Sequence, residues 1–260
     1  MPGAAATLIL LAAFAAGFID AIVGGGGLIQ VPALLAVLPE ALPATLLGTS
    51  KLAGSFGTAS AAVHYARNID LPWRRLLPAA AVALIASVAG AATVSRLPAA
   101  LFRPLVPVLL SAVLLYTLLN RRLGERHAPV AASGRREAGS LALLAGIGFY
   151  DGFFGPGAGS LLMLLFVRMY GFDFLHAAAA ARVVNLFTNV SALAWFGAHG
   201  AMLWPLGLAM AAANLAGAQL GTRLALRRGR SLVRGLFLLV VAALIARTAW
   251  VALRPLLGGS

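Results

Sequence analysis

The 260-residue chain contains no cysteine and only seven aspartates and glutamates. The first absence excludes disulfides, thiolate metal sites and thiol redox chemistry. The second leaves little to hold the chain in water. Charged residues make up 10% of it and hydrophobic ones 61%, whereas soluble domains carry about 25% charge. Neither G-x-G-x-x-G nor a P-loop with its Lys-Ser/Thr occurs, which speaks against nucleotide binding. There is no H-E-x-x-H, and the order before Ser160 is Gly-Ala-Gly rather than the Gly-x-Ser-Gly of a rhomboid-type protease. No cofactor and no metal are expected.

What the sequence does contain is apolar runs, at 5–23, 28–38, 43–66, 74–95 and 102–120, then at 140–154, 159–170, 175–197, 203–223 and 235–253. A helix needs about 20 apolar residues to cross a bilayer, so the pattern is that of a multi-pass membrane protein. The net charge of +13 would suggest nucleic acid in a soluble protein. Here the arginines lie mostly in short loops, where membrane topology explains them, and no nucleic-acid partner is expected. The opening MPGAAATLILLAAFAAGFID has no basic leader region and reads as a first membrane segment, not a cleaved signal.

Segments 28–38 and 159–170 are too short for a comfortable crossing, and each follows a glycine cluster: GFIDAIVGGGG at 17–27 and GFYDGFFGPGAG at 148–159. Sliding the chain along itself at one fixed offset superposes Gly17 on Gly148, Asp20 on Asp151, Gly24 on Gly155, Gly26 on Gly157 and Trp73 on Trp204. The sequence therefore predicts an internal duplication: a first transmembrane repeat at 1–120, a cytoplasmic linker at 121–139 and a second repeat at 140–260. The fold class expected is an all-α polytopic membrane protein of about ten helical segments in two five-segment repeats, each with a glycine-broken helical hairpin.

Loop arginines orient the repeats. Arg67, Arg74 and Arg75 follow the third segment and Arg121, Arg122, Arg126, Arg135 and Arg136 the fifth. In the second repeat, Arg223, Arg227, Arg228, Arg230 and Arg234 follow the ninth segment, while the loop after the eighth has none. Basic loops stay cytoplasmic. The basic loop has thus moved by one crossing, so the repeats are expected to be inverted, with both termini outside.

Asp20, Lys51, Asp151 and Arg182 stand inside apolar segments, with Asp20 related to Asp151 and Lys51 to Arg182 by the same offset. A charge at the bilayer centre costs about 2.5–3.5 kcal/mol on insertion scales. Repeating that cost points to use. Within each repeat Asp20 would neutralise Lys51 and Asp151 would neutralise Arg182, unless the aspartates carry a coupling proton. Ser50 adjoins the lysine, and Asn185 and Asn189 share one helical face with the arginine. Gly24, Gly25, Gly26, Gly27, Gly155, Gly157 and Gly159 would break each hairpin. The half-helix starting near Leu28 or Ser160 would then present free amides and a positive dipole end, an anion site.

At these residues the chain resembles the sulfite exporter TauE/SafE family of membrane permeases. The likeness lies in GFIDAIVGGGGLIQVPALL (17–35), LGTSKLAGSFGTASAAVHYAR (47–67), NVSALAWFGAHGAMLW (189–204) and LAGAQLGTRLA (215–225), and it covers nearly the whole chain. The resemblance implies a duplicated permease of the bacterial plasma membrane that moves a small anion, with sulfite, sulfoacetate and related anions as candidate substrates. Combined with the residues above, it leads to alternating access with the anion held by Lys51, Arg182, backbone amides and nearby hydroxyls and amides. An anion channel is the alternative within transport, and an intramembrane enzyme the alternative outside it.

Overall fold

A computed structural model describes residues 3–98, 100–102, 105, 106, 108, 109, 112, 129 and 134–257. The expected fifth segment and most of the linker fall outside the described residues. What is described is helical, without strands. Helix α1 spans Gly3–Val23, α2 Gly27–Val37, α3 Pro43–Asn68 and α4 Trp73–Ser95. Helix α5 spans Gly134–Phe153, α6 Ala158–Leu165, α7 Phe174–Ala198 and α8 Trp204–Leu257. The offset seen in the sequence recurs in the helix starts, which pair as Gly3 and Gly134, Gly27 and Ala158, Pro43 and Phe174, Trp73 and Trp204. Among the described residues, three helices are long and apolar enough by themselves to cross a membrane, Gly3–Val23, Trp73–Ser95 and Phe174–Ala198.

The helix ends have local causes. Proline opens α3, where its missing N–H costs nothing. The Asp173 carboxylate accepts the His176 amide at 2.9 Å and so caps α7. Helix α6 closes in a π-helical turn, Phe166–Tyr170. Two expectations about boundaries need correction. Helix α5 begins at Gly134, ahead of the apolar run expected from 140. The ninth and tenth segments are not separated by a polar loop, because the helix runs on through Arg223, Arg227 and Arg228 and breaks only at Gly229 (φ 66°, ψ −160°). Arginine is a good helix former, so a basic run is no signal of a loop. At 1.5 Å per residue the 54 residues of α8 would otherwise extend far beyond a bilayer of about 30 Å.

Both glycine-broken units are hairpins that fold back on themselves. Ile9 of α1 and Leu34 of α2 share one apolar cluster with Leu46 at the start of α3 and Met210 near the start of α8. Arg136 near the start of α5 donates to the Arg168 carbonyl after α6 at 3.3 Å. The start of α5 also meets the start of α4, through Arg75 Nη2 and Glu137 Oε2 at 3.3 Å. The hairpin α1–α2 thus opens where α3 and α8 begin, and α5–α6 opens at the opposite end of α3, where α4 begins.

The hairpins are also exchanged. Helix α1 packs along α8, and α5 along α4. Gly17 of α1 lies against the Asn214 backbone and Gly148 of α5 against the Ala83 backbone, the same contact made twice at the repeat offset. A Cβ at either glycine would collide with a backbone carbonyl, so small residues are what let these helices approach so closely.

Candidate functional site

The hairpin tips meet at the centre of the bundle. Gly24 (φ 82°) and Gly157 (φ 84°) turn the chain through the left-handed region, which glycine enters without penalty. The two tips then touch backbone to backbone. Ser160 donates its amide to the Gly24 carbonyl at 3.1 Å and its hydroxyl to the Val23 carbonyl at 2.8 Å. Tyr150 braces the second tip by donating to the Pro156 carbonyl at 2.6 Å.

Asp20, Lys51, Asp151 and Arg182 converge here, with a pairing that the sequence reading did not foresee. Lys51 Nζ lies 2.7 Å from Asp151 Oδ1, and Arg182 Nη1 lies 2.6 Å from Asp20 Oδ2. The expected pairs, Asp20 with Lys51 and Asp151 with Arg182, are not formed. The exchange of hairpins is the reason: each aspartate rides on its hairpin to the repeat-related counterpart of the base expected for it. Lys51 also donates to Asn189 Oδ1 at 2.8 Å, and Asn185 donates to Asp151 Oδ2 at 3.1 Å. Asn189 reaches Thr58, its own counterpart at the repeat offset, at 3.3 Å. The quartet is electrically neutral, and both pairs cross from one set of four helices to the other.

Between the tips lies a cavity of about 60 Å³. A single water needs about 10–15 Å³, so there is room for a small ion. Asp20, Gly24, Gly26, Gly27, Ser50 and Lys51 are on its wall from the first helices. Asp151, Gly155, Gly159, Asn185 and Asn189 are on it from the last ones. Gly25, Gly157 and Arg182 are not among the lining residues. Arg182 is 1% exposed, its guanidinium packed against Gly24 and Gly159, with Nε making no hydrogen bond.

The helix starts are used differently from the expectation. The Gly26 amide at the first turn of α2 donates to Asp20 Oδ1 at 3.2 Å, and the Ser160 amide of α6 is taken by Gly24. The anion at the α2 N-terminus is therefore the chain's own carboxylate, where the helix dipole favours it.

Gln30 and Asn214, neither of them singled out from the sequence above, also line the cavity. Gln30 Nε2 donates to the Ser50 carbonyl at 2.9 Å and to its hydroxyl at 3.1 Å. Asn214 Nδ2 donates to Gln30 Oε1 at 3.3 Å. A signal was present: Gln30 is the one polar side chain in the eleven residues of α2, directly after the glycine break.

The tip contact yields a first expected outcome. A Cβ on Gly24 would stand 2.7 Å from Arg182 Nη2, in a conformation that costs a non-glycine residue about 1–2 kcal/mol. Gly24→Ala should lower the thermal midpoint in detergent more than Gly54→Ala, whose Cβ meets nothing within 4 Å. Equal effects would mean that the tips do not hold together as described.

A bundle of apolar helices with facing broken hairpins, buried charges and a central cavity defines a membrane transporter. The chain belongs to the sulfite exporter TauE/SafE family, whose profile matches residues 9–248. It is 40% identical over 242 residues to the "Probable membrane transporter protein ORF9" of Sinorhizobium sp, covering 92% of this chain and 90% of that one. It is 37% identical over 245 residues to the "Probable membrane transporter protein YfcA" of Escherichia coli K12, covering 92% and 88%. A "Probable membrane transporter protein" of Haemophilus influenzae is 34% identical over 249 residues, covering 94% of each chain. No solved structure matches. Family and relatives are transporters, and the protein is not an enzyme.

Proposed function

We propose that this protein is a permease of the bacterial inner membrane that moves a small anion, a sulfur oxyanion such as sulfite or an organosulfonate, by alternating access. The observation that carries this reading is the Lys51 ammonium on the wall of a small central cavity that the amides Asn185, Asn189 and Gln30 also line. Ammonium and amide N–H groups suit oxygen-rich anions, and irregular backbone at membrane depth is tolerated where it lines a cavity. The TauE/SafE description names sulfite, which supports the substrate class.

We read the halves, 1–120 and 140–260, as inverted repeats joined by a cytoplasmic linker. The opposite openings of the two hairpins support this, as does the gathering of Arg67, Arg74, Arg75 and Arg136 at one end of the bundle. In alternating access the hairpin tips part from one face and then from the other, while the cavity stays central. Asp20 and Asp151 are the two places where a co-transported proton can sit.

Flux in proteoliposomes tests the function, using sulfite, sulfate, thiosulfate, sulfoacetate and carboxylates in turn. Saturable uptake of a sulfur anion is expected, and absence of flux for the whole panel defeats the proposal. Single cysteines test the topology in this cysteine-free chain. Arg228→Cys should be labelled only from the cytoplasm and His199→Cys only from outside. Labelling of both from one side contradicts the inversion.

A further inference from the structure

The two crossed pairs are alike in residue type and unlike in surroundings. Asp20 is held from three directions: Arg182 at 2.6 Å, the Gly26 amide at 3.2 Å and, more weakly, the Thr58 hydroxyl at 3.4 Å. Its base is a guanidinium, which keeps its proton and is packed off the cavity wall between Gly24 and Gly159. Asp151 lacks the counterpart of the Gly26 bond. Gly157, which matches Gly26 at the repeat offset, makes no bond to Asp151 among the described residues. Asp151 is instead held by Lys51 at 2.7 Å and Asn185 at 3.1 Å. Both members of this pair line the cavity.

From this difference we infer that the two pairs divide the work: Lys51 exchanges Asp151 for the anion, Asp151 takes up one proton as it is released, and the Asp20–Arg182 pair stays closed and holds the hairpin tips. The inference rests on the reading that a small anion enters this cavity. The charge balance requires a partner for that anion. The quartet is neutral, so an anion entering alone leaves an unpaired charge inside the bundle. One proton with each singly charged anion leaves the buried charge unchanged.

The step is a proton transfer only. A proton from water on the open side adds to one Asp151 carboxylate oxygen, and it leaves by the same group after the anion has gone. Lys51 remains an ammonium throughout. Asn185 stays beside the neutral carboxyl and satisfies it, its amide donating to one oxygen and its own carbonyl able to accept the new O–H. The other groups facing Asp151 do not offer a competing base. From α3 comes Lys51; from α7 come the amides Asn185 and Asn189, with Arg182 committed to Asp20; from α1 comes Asp20, held by its three donors. On its own helix, Tyr150 is occupied with the Pro156 carbonyl. Anion and proton therefore bind together, each strengthening the other to the same degree.

The test reads anion and proton at once. Purified full-length protein in liposomes, with a pH dye trapped inside, is given labelled sulfite or methanesulfonate, which are singly charged as hydrogensulfite and sulfonate, or the doubly charged thiosulfate and sulfoacetate. Wild-type uptake is expected to carry protons inward, with accumulation of a singly charged anion changing about tenfold per unit of pH gradient. Asp151→Asn should abolish proton movement and flatten the pH profile, because an amide cannot titrate. Asp20→Asn should keep the pH dependence of whatever flux remains. Wild-type flux that moves no protons overturns the inference and leaves the permease reading standing. Wild-type protein that moves none of these anions defeats both. A second measurement needs no variant. A hydrophobic carbodiimide, which reacts with protonated carboxyls in apolar surroundings, should mark Asp151 and spare Asp20, more so at acid pH. Marking of Asp20 alone, or of neither, contradicts the assignment.

Discussion

Lys51→Gln should cost the protein about 3–5 kcal/mol of stability, because it leaves the Asp151 carboxylate buried without its base. Asp151 is only 2% exposed, and beside Lys51 the one side chain that donates to it among the described residues is the neutral Asn185. The expected result is a marked fall in the thermal midpoint in detergent. Adding Asp151→Asn should restore most of it, since removing both charges of a buried pair is often nearly neutral. Adding Asp20→Asn to Lys51→Gln should not help, because Asp20 belongs to Arg182. That choice of partner distinguishes crossed pairing from pairing within each half. Rescue by Asp20→Asn with no rescue by Asp151→Asn would overturn the arrangement of the hairpins.

Arg182→Ala is expected to be at least as damaging, for two separable reasons. It leaves Asp20 without its base, again about 3–5 kcal/mol, and it empties the space that the guanidinium fills between Gly24 and Gly159. Asp20→Asn should recover the charge part but not the packing part, so the double variant should remain below wild type. Arg182→Lys keeps a charge near Asp20 but not the planar group between the tips. It should fall between wild type and Arg182→Ala. Chemical denaturation of the four proteins separates the two contributions, and full recovery in the double variant would reduce Arg182 to a plain counter-ion.

Much of this was legible in the sequence because buried charge and repeated glycine are conspicuous in an apolar chain. Asp20, Lys51, Asp151 and Arg182 stand out against segments of Ala, Leu and Val, and the fixed offset that relates them also relates the helix starts. The pairing was not legible. Each aspartate has two candidate bases, and the choice depends on which helices the hairpins pack against. That is set by backbone contact at Gly17 and Gly148, whose match at the offset was legible but not the helices they would meet. Gln30 and Asn214 did not stand out as site residues, because an amide in an apolar helix usually bonds to a neighbouring helix. Both in fact do so while also facing the cavity. The passage of α8 through Arg223, Arg227 and Arg228 before its break at Gly229 was missed because charge marks the membrane boundary and says little about where a helix ends.

The central claim is that the cavity between the tips is an anion site built on Lys51. Anion-dependent stabilisation tests it most directly, comparing wild type with the Lys51→Gln, Asp151→Asn double variant, which should stay folded. A ligand at about one hundred times its dissociation constant stabilises by about 2.7 kcal/mol. Wild type should therefore show a clear upward shift of its thermal midpoint with sulfite or another sulfur anion of the panel, and the double variant none. An equal shift in the two proteins would contradict the claim.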